Sequence, residues 1–232
     1  RLGERRRRLG LAWRETVDYA IEHEADLYIN TGDLFDQITP RNPPRASVVE
    51  AYRELKDAGM ESFIIAGNHE APGSSRDGAS PHAVIREAGL ATVFENRKEF
   101  GHRVLDIRGT KVSIAGMSYD KNLPNGEDPL VDRRVPGGGD VNIAMLHYNF
   151  GSIKIPPVFM APTIKETSVP RGLHYLALGH YHRFRRIQLS ETLVVYPGST
   201  ERRSFAEEGE EKGFVYIELD EENVKDLEFV KT

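Results

Sequence analysis

Residues 28–33, Tyr28-Ile29-Asn30-Thr31-Gly32-Asp33, and residues 63–70, Phe63-Ile64-Ile65-Ala66-Gly67-Asn68-His69-Glu70, decide the fold. The second is a short apolar run that stops at a glycine followed by polar side chains, and the first is a short strand, Tyr28-Ile29-Asn30, that ends at Thr31-Gly32-Asp33. Runs of that length, bounded by turn residues, read as buried strands. Helical spacing surrounds them. Leu9, Trp13, Val17, Ala20 and Ile21 recur with charge between them, which predicts a surface helix packed on one face. Pro43 and Pro44 open a second helix that runs through Val48, Val49, Tyr52 and Leu55 and closes at Gly59. A polar loop from Pro72 to Ser80 precedes a third helix, Ala83 to Glu87. The rhythm is helix, strand, helix, strand, helix, which predicts a sheet covered by helices.

Farther along, the pattern turns to strands. Val104–Ile107, Lys111–Ala115, Val141–Leu146, Tyr175–Leu178, Phe184–Gln188, Leu193–Tyr196 and Phe214–Leu219 all read as extended, with a hairpin turn at Gly109-Thr110. Asn122–Asp128 and Gly137-Gly138-Gly139 read as loops. There is no internal repeat and no composition break of the kind a linker makes. Residues 1–232 therefore read as one α/β domain with two sheets.

Composition narrows the chemistry. The 232 residues are 39% hydrophobic and 29% charged, enough of each for a packed core with a solvated surface. The formal net charge of −5 gives no global basic field, so contact with a polyanion must rely on local patches. With no cysteine, thiolate metal sites and disulfides are excluded, and any metal must be held by His, Asp, Asn or Glu. No apolar run approaches the roughly 20 residues of a membrane helix. Arg5 to Arg8 are followed by an amphipathic segment carrying Arg14, Glu15 and Asp18, not by the apolar stretch of a signal peptide.

The potentially reactive residues fall just after predicted strands, where open α/β sheets bind ligands. Asp33 follows the first strand, Asn68 and His69 the second, His147 follows Ile143–Leu146, and His180 and His182 follow Tyr175–Leu178. Singly, each has a bland reading. Asp33 can cap a turn, Asn68 can stabilise a left-handed turn, and His69 can be a satisfied turn histidine. Two imidazoles one residue apart, in Gly179-His180-Tyr181-His182, are harder to dismiss. Four strands delivering carboxylate, amide and imidazole groups to one edge suit a pair of divalent cations such as Mn²⁺, Fe²⁺ or Zn²⁺. Such a pair, roughly 3.5–4 Å apart, clamps the attacking and leaving oxygens of a phosphoryl displacement. His23, His82, His102 and His174 read as non-catalytic.

Gly32-Asp33-Leu34-Phe35-Asp36, Gly67-Asn68-His69-Glu70, Leu146-His147 and Gly179-His180-Tyr181-His182 together resemble the calcineurin-like metallophosphoesterases. Within that superfamily they are similar to the SbcD-type nuclease subunits of DNA double-strand-break repair. Tyr196-Pro197-Gly198-Ser199-Thr200-Glu201-Arg202, Ser204-Phe205 and Lys212-Gly213 resemble archaeal and eukaryotic members in particular. The resemblance implies a four-layer αββα sandwich of two mixed sheets flanked by helices. It also implies two divalent metal ions, Mn²⁺ foremost. Asp33 would bridge both, Asn68, His147 and His180 would complete one, and His182 would serve the other. His69 would face the scissile phosphate without being a ligand. The implied partners are DNA, an ABC-type ATPase subunit and a second copy of the chain, with no membrane. The implied setting is a prokaryotic cytoplasm at the nucleoid, or a eukaryotic nucleus.

The resemblance departs at both ends. The family opens with a strand carrying an Asp-x-His motif, which is expected to lie upstream of Arg1. It continues into a capping domain, which is expected beyond Thr232. Arg183, Arg185 and Arg186 after the histidine pair, and Arg202 and Arg203 on a later loop, are candidates for DNA phosphate, though each reads equally well as a solvated charge. Two other functions stay open on sequence. One is a phosphodiesterase or phosphatase for a small or protein substrate, which would share the same core chemistry. The other is a non-catalytic DNA-binding module, should the first metal motif be absent.

Overall fold

The computed structural model describes residues 2–73, 78–220 and 224–232. Part of the expected Pro72–Ser80 loop therefore lies outside the described residues. Helix α1 spans Leu2–Glu22, strand β1 Leu27–Asn30, helix α2 Asn42–Asp57, strand β2 Glu61–Ile65, helix α3 Ala83–Glu87 and strand β3 Thr92–Phe94. The three strands form a parallel sheet in the order β1-β2-β3. Strand alternation assigns its two faces. Ile64 turns toward the helices, into a core with Val17, Tyr52, Leu55 and Ile85. Phe63 and Ile65 turn the other way, with Phe94, and meet the second sheet.

That second sheet is built from β4 Gly101–Ile107, β5 Thr110–Gly116 and β6 Val141–Leu146, followed after two short strands by β9 Tyr175–Leu178, β10 Arg185–Leu189 and β11 Thr192–Tyr196. Its order is β10-β11-β9-β6-β5-β4. The inner four strands run parallel and the two edges are antiparallel hairpins. The β4–β5 turn is Arg108-Gly109, one residue earlier than the sequence suggested. Ile114, Ile143, Ala177 and Val195 face the small sheet. Ala144, Leu146, Leu176, Leu178, Val194 and Tyr196 face outward into a second core.

The mixed α/β architecture agrees with expectation, but its outer layers differ. The small sheet is all parallel. Among the described residues, no α-helix covers the outer face of the large sheet. Tyr119, Leu130, Tyr148, Phe150, Ile153 and Ile164 cover it instead. They come from a segment with the short strands β7 Asn149–Phe150 and β8 Thr163–Ile164 and single 3-10 turns at Pro157–Phe159 and Glu166–Ser168. Pro124, Pro129, Pro136, Pro156, Pro157, Pro162 and Pro170 punctuate this stretch, and proline inside a helix removes a backbone donor and clashes with the preceding turn. Finally, β12 Gly213–Leu219 and β13 Val224–Lys231 pair antiparallel. They dock through Phe214 and Tyr216 on Tyr19 of α1, and through Phe229 stacked on Phe184.

Candidate metal centre

The carboxyl ends of β1, β2, β6 and β9 lie along one edge where the two sheets meet. Two glycines permit that proximity. A Cβ on Gly67 would sit 2.2 Å from Asp33 Oδ1, and one on Gly179 would sit 2.2 Å from the Thr31 carbonyl and 2.4 Å from His147 Nδ1. Any side chain at either position would wedge the sheets apart.

Four donors converge there. Asn68 Oδ1 is 3.0 Å from His147 Nε2 and 3.0 Å from His180 Nδ1, and Asp33 Oδ2 is 3.4 Å from His147 Nε2. Bonds of about 2.1 Å in an octahedral shell place neighbouring donors about 3.0 Å apart, which is close to these spacings. The outer nitrogens set the tautomers. His147 Nδ1 lies 2.7 Å from the Thr31 carbonyl, and His180 Nε2 lies 3.1 Å from the Phe159 carbonyl. Carbonyls only accept, so each ring donates its outer N–H and turns a lone pair inward. With the Asn68 oxygen inward, electron pairs then face one another, an arrangement that a cation between them resolves. Among the described residues, no three His, Asp or Glu side chains stand close enough to hold an ion by themselves. The amide oxygen of Asn68 is what ties the set together. As a donor set of one carboxylate, one amide and two imidazoles, it fits a divalent cation of the manganese, iron or zinc type.

The electrostatics agree. Burial opposes ionisation of Asp33, but His147 and His69 outweigh it and hold the carboxyl well below its usual range. Burial likewise opposes a charge on His147, and there the neighbouring Asp33 carboxylate wins, raising the imidazole above its ordinary value. Burial, with His147 next, lowers His180 to about 4, so that ring stays neutral. Asp33 and His180 also hold left-handed backbone angles, φ +58° and +90°. Non-glycine residues in that region cost on the order of 1–3 kcal/mol each and collect at functional sites.

Glu70 closes the Gly67-Asn68-His69-Glu70 stretch, where local sequence gives it no role. It is fully buried, and its Oε2 accepts from the backbone N–H of Asp33 (2.7 Å) and Gly67 (3.2 Å). Its Oε1 accepts from Phe35 N–H and from His82 Nε2 (3.0 Å). One carboxylate thereby ties both strand-end loops, and His82, read as non-catalytic, is its buried partner. Tyr119 is another group without a sequence signal; its ring lies edge-on to His147 and stacks toward His180.

His69 stands beside the donors. Its backbone N–H donates to Asp33 Oδ1 (3.0 Å) and its Nδ1 lies 3.2 Å from the Asp36 carbonyl. Its Nε2 faces Arg203, at 3.3 Å, and lies 3.9 Å from Asp33 Oδ2. Arg203 also pairs with Asp36. The other candidate arginines stand apart. Arg183 is paired with Glu210, Arg202 donates to the Glu210 carbonyl, and Arg185 and Arg186 are exposed on β10. Of the five, Arg203 alone contacts a residue of the cluster. His182 does not join the four donors. Its Nδ1 meets Glu207 Oε1 at 3.0 Å. Burial lowers its basicity, with Glu207 opposing. Glu207 itself falls to about 2, because the Arg203 N–H, His182 and Lys212 outweigh its burial. The remaining histidines are engaged elsewhere: His23 with Tyr19, His102 with Ser113, and His174 with Asn142.

This fold and this edge of carboxylate, amide and imidazole define a metallophosphoesterase, and the calcineurin-like phosphoesterase pattern matches residues 10–184. The chain belongs to that family, whose members hydrolyse phosphate esters and bind divalent metals. It is 31% identical over 230 residues to the DNA double-strand break repair protein Mre11 of Methanopyrus kandleri, covering 90% of this chain and 49% of that one. It is 28% identical over 206 residues to the protein of the same name in Thermoplasma acidophilum, covering 88% and 53%. Uncharacterized metallophosphoesterase YhaO of Bacillus subtilis is 26% identical over 208 residues, with 89% and 48% covered. The chain thus spans only around half the length of these curated relatives. A hypothetical protein from Thermus thermophilus superposes with a TM-score of 0.52 at 12% identity, over 95% of this chain and 91% of that one, a likeness of fold alone. No helix among the described residues is long and apolar enough to cross a membrane.

Proposed function

We propose that the protein is a metal-dependent DNA nuclease, with exonuclease and single-strand endonuclease activity, acting in double-strand-break repair. The observation that carries the chemistry is the set Asp33, Asn68, His147 and His180, with both outer imidazole N–H groups committed to carbonyls. The relatives named for double-strand-break repair support DNA as substrate. Asp33, Asn68, His147 and His180 would hold one cation. Asp33 and His182 would serve a second, and Mn²⁺ suits this thiolate-free set. Divalent cations, when bound, supply an acidified water and neutralise phosphate charge.

The chain's own groups do the rest. Arg203, now paired with Asp36, presents a guanidinium that matches phosphate geometry. His69 keeps Nε2 on that same side, now accepting from Arg203; once that guanidinium turns to phosphate, the freed Nε2 would be able to take up a proton and pass it to the departing oxygen. Arg183, Arg185, Arg186 and Arg202 would contact DNA farther from the scissile bond. An ABC-type ATPase subunit and a second copy of this chain complete the proposed assembly, at the nucleoid or in a nucleus.

The test offers Mn²⁺-loaded protein single-stranded DNA, duplex DNA, a small phosphodiester and a phosphopeptide, with Asp33→Ala as the blank. DNA cleavage abolished in Asp33→Ala is the expected result. Hydrolysis of the small ester or the phosphopeptide, with DNA left intact, refutes the nuclease reading in favour of a phosphatase. Unchanged Mn²⁺-dependent cleavage by Asp33→Ala removes the mechanism.

A further inference from the structure

The segment after Arg203 grips His182 and its neighbour at several points. Glu207, 9% exposed at its side chain, meets His182 Nδ1 through Oε1 at 3.0 Å. Its Oε2 is held by the Arg203 backbone N–H and by Lys212 Nζ, both at 2.9 Å. Lys212, 5% exposed, also donates to the His182 carbonyl (2.9 Å) and to Glu210 (3.0 Å). Glu210 in turn pairs with Arg183, the residue after His182. From another side the Phe159 ring meets the imidazole edge-on, with centroids 5.0 Å apart. The ring is therefore fixed in position and in plane. Among the described residues, its Nε2 has no hydrogen-bond partner.

We infer that Glu207 is a positioning residue for His182: it fixes the Nδ1–H tautomer and so leaves Nε2 as the nitrogen with a free electron pair. A carboxylate only accepts, so the nitrogen beside it must carry the hydrogen. Imidazoles that bind metals are commonly oriented in this way by an outer carboxylate, whose loss typically costs about 10–100-fold in affinity. Here the same carboxylate also accepts from the backbone of Arg203, the residue whose guanidinium reaches His69. Glu207 thereby ties the orientation of His182 to the placement of Arg203. This inference rests on the proposed role of His182 as a ligand.

Long-range proton–nitrogen NMR on the metal-free, histidine-labelled protein reads the tautomer directly, with His182→Gln assigning the signal. Wild type should show His182 protonated at Nδ1. Glu207→Leu should shift it toward the Nε2–H form and weaken the His182-dependent Mn²⁺ site about 10–100-fold by calorimetry. Glu207→Gln gives its single oxygen to the Arg203 N–H and Lys212, turns its NH₂ toward Nδ1, and should likewise drive the ring to the Nε2–H form. Lys212→Met, which removes the buried charge but not the acceptor, should keep the wild-type tautomer. A wild-type ring protonated at Nε2 overturns the inference without any variant, as does a tautomer indifferent to Glu207→Leu. If the tautomer responds but Mn²⁺ leaves the wild-type His182 signals unbroadened, His182 is not a ligand, and the fault lies with that reading rather than with the contact.

Discussion

Replacing Glu70 with glutamine changes one oxygen to an amide and removes one charge at the junction of the two strand-end loops. The carboxylate has four donors to satisfy: Asp33 N–H, Gly67 N–H, Phe35 N–H and His82 Nε2. A glutamine keeps one acceptor oxygen. If that oxygen serves Asp33 and Gly67, the amide NH₂ faces the Phe35 N–H, donor against donor. His82 must then turn its Nε2 into an acceptor and place its hydrogen on Nδ1, which is buried without a partner. The reverse orientation sets the NH₂ against two backbone N–H groups and is worse. One frustrated backbone donor and one orphaned imidazole N–H, at about 1–3 kcal/mol each, give a destabilisation of roughly 2–6 kcal/mol. The same change loosens the Asp33 turn, so Mn²⁺ affinity should fall as well. Urea denaturation of the metal-free Glu70→Gln variant, followed by calorimetric Mn²⁺ titration, measures both. Stability within about 0.5 kcal/mol of wild type, a change usual for featureless surface sites, would falsify the argument that this carboxylate clamps the loops.

His69→Ala should lose most turnover, about 10²–10⁴-fold, while keeping its metal and DNA affinity. Single-turnover cleavage paired with metal calorimetry checks this; metal lost in step with activity makes His69 a ligand, and normal cleavage makes it a turn residue. For pH, the neutral His180 sets the sign. Its basicity falls from 6.5 to about 4 in the folded chain, so the unfolded state binds more protons between those values, and stability drops as pH is lowered through that window. At about 1.36 kcal/mol per pH unit, the loss is at most roughly 3 kcal/mol. His182 adds in the same direction. Denaturation midpoints of metal-free protein from pH 7 to 4.5 should therefore slope more steeply in wild type than in His180→Asn, and equal slopes count against a buried neutral ring.

Much of this was legible in the sequence because it is local. The ends of α3, β6 and β9 coincide with their predicted bounds, since apolar runs and turn residues mark them. The convergence of Asp33, Asn68, His147 and His180 was legible for a related reason: parallel strands put their carboxyl ends on one edge. What local pattern does not encode was missed. β3 is three residues long. β13 breaks its alternation with Phe229-Val230 and pairs across a register shift at Glu218/Leu219, so period two fails there. The helices expected over the large sheet gave way to a proline-punctuated segment. Glu70 and Glu207 act on partners brought to them by tertiary structure, the Asp33 turn and His182, and no spacing rule points from one to the other.

The contacts that assemble the donor edge join residues far apart in the chain. His147 reaches Thr31 across 116 positions, Asn68 reaches His180 across 112 and His147 across 79. Closing such loops costs entropy that only a nearly complete fold repays, and long-range pairings form slowly. A nascent chain that has not yet emerged through β9 has no His180 to contribute, and Asn68 lacks one of its two imidazole partners. The centre is consequently a late product of folding, and a cation cannot act as an early template for it. A cation held at this edge would therefore report that both sheets have already docked.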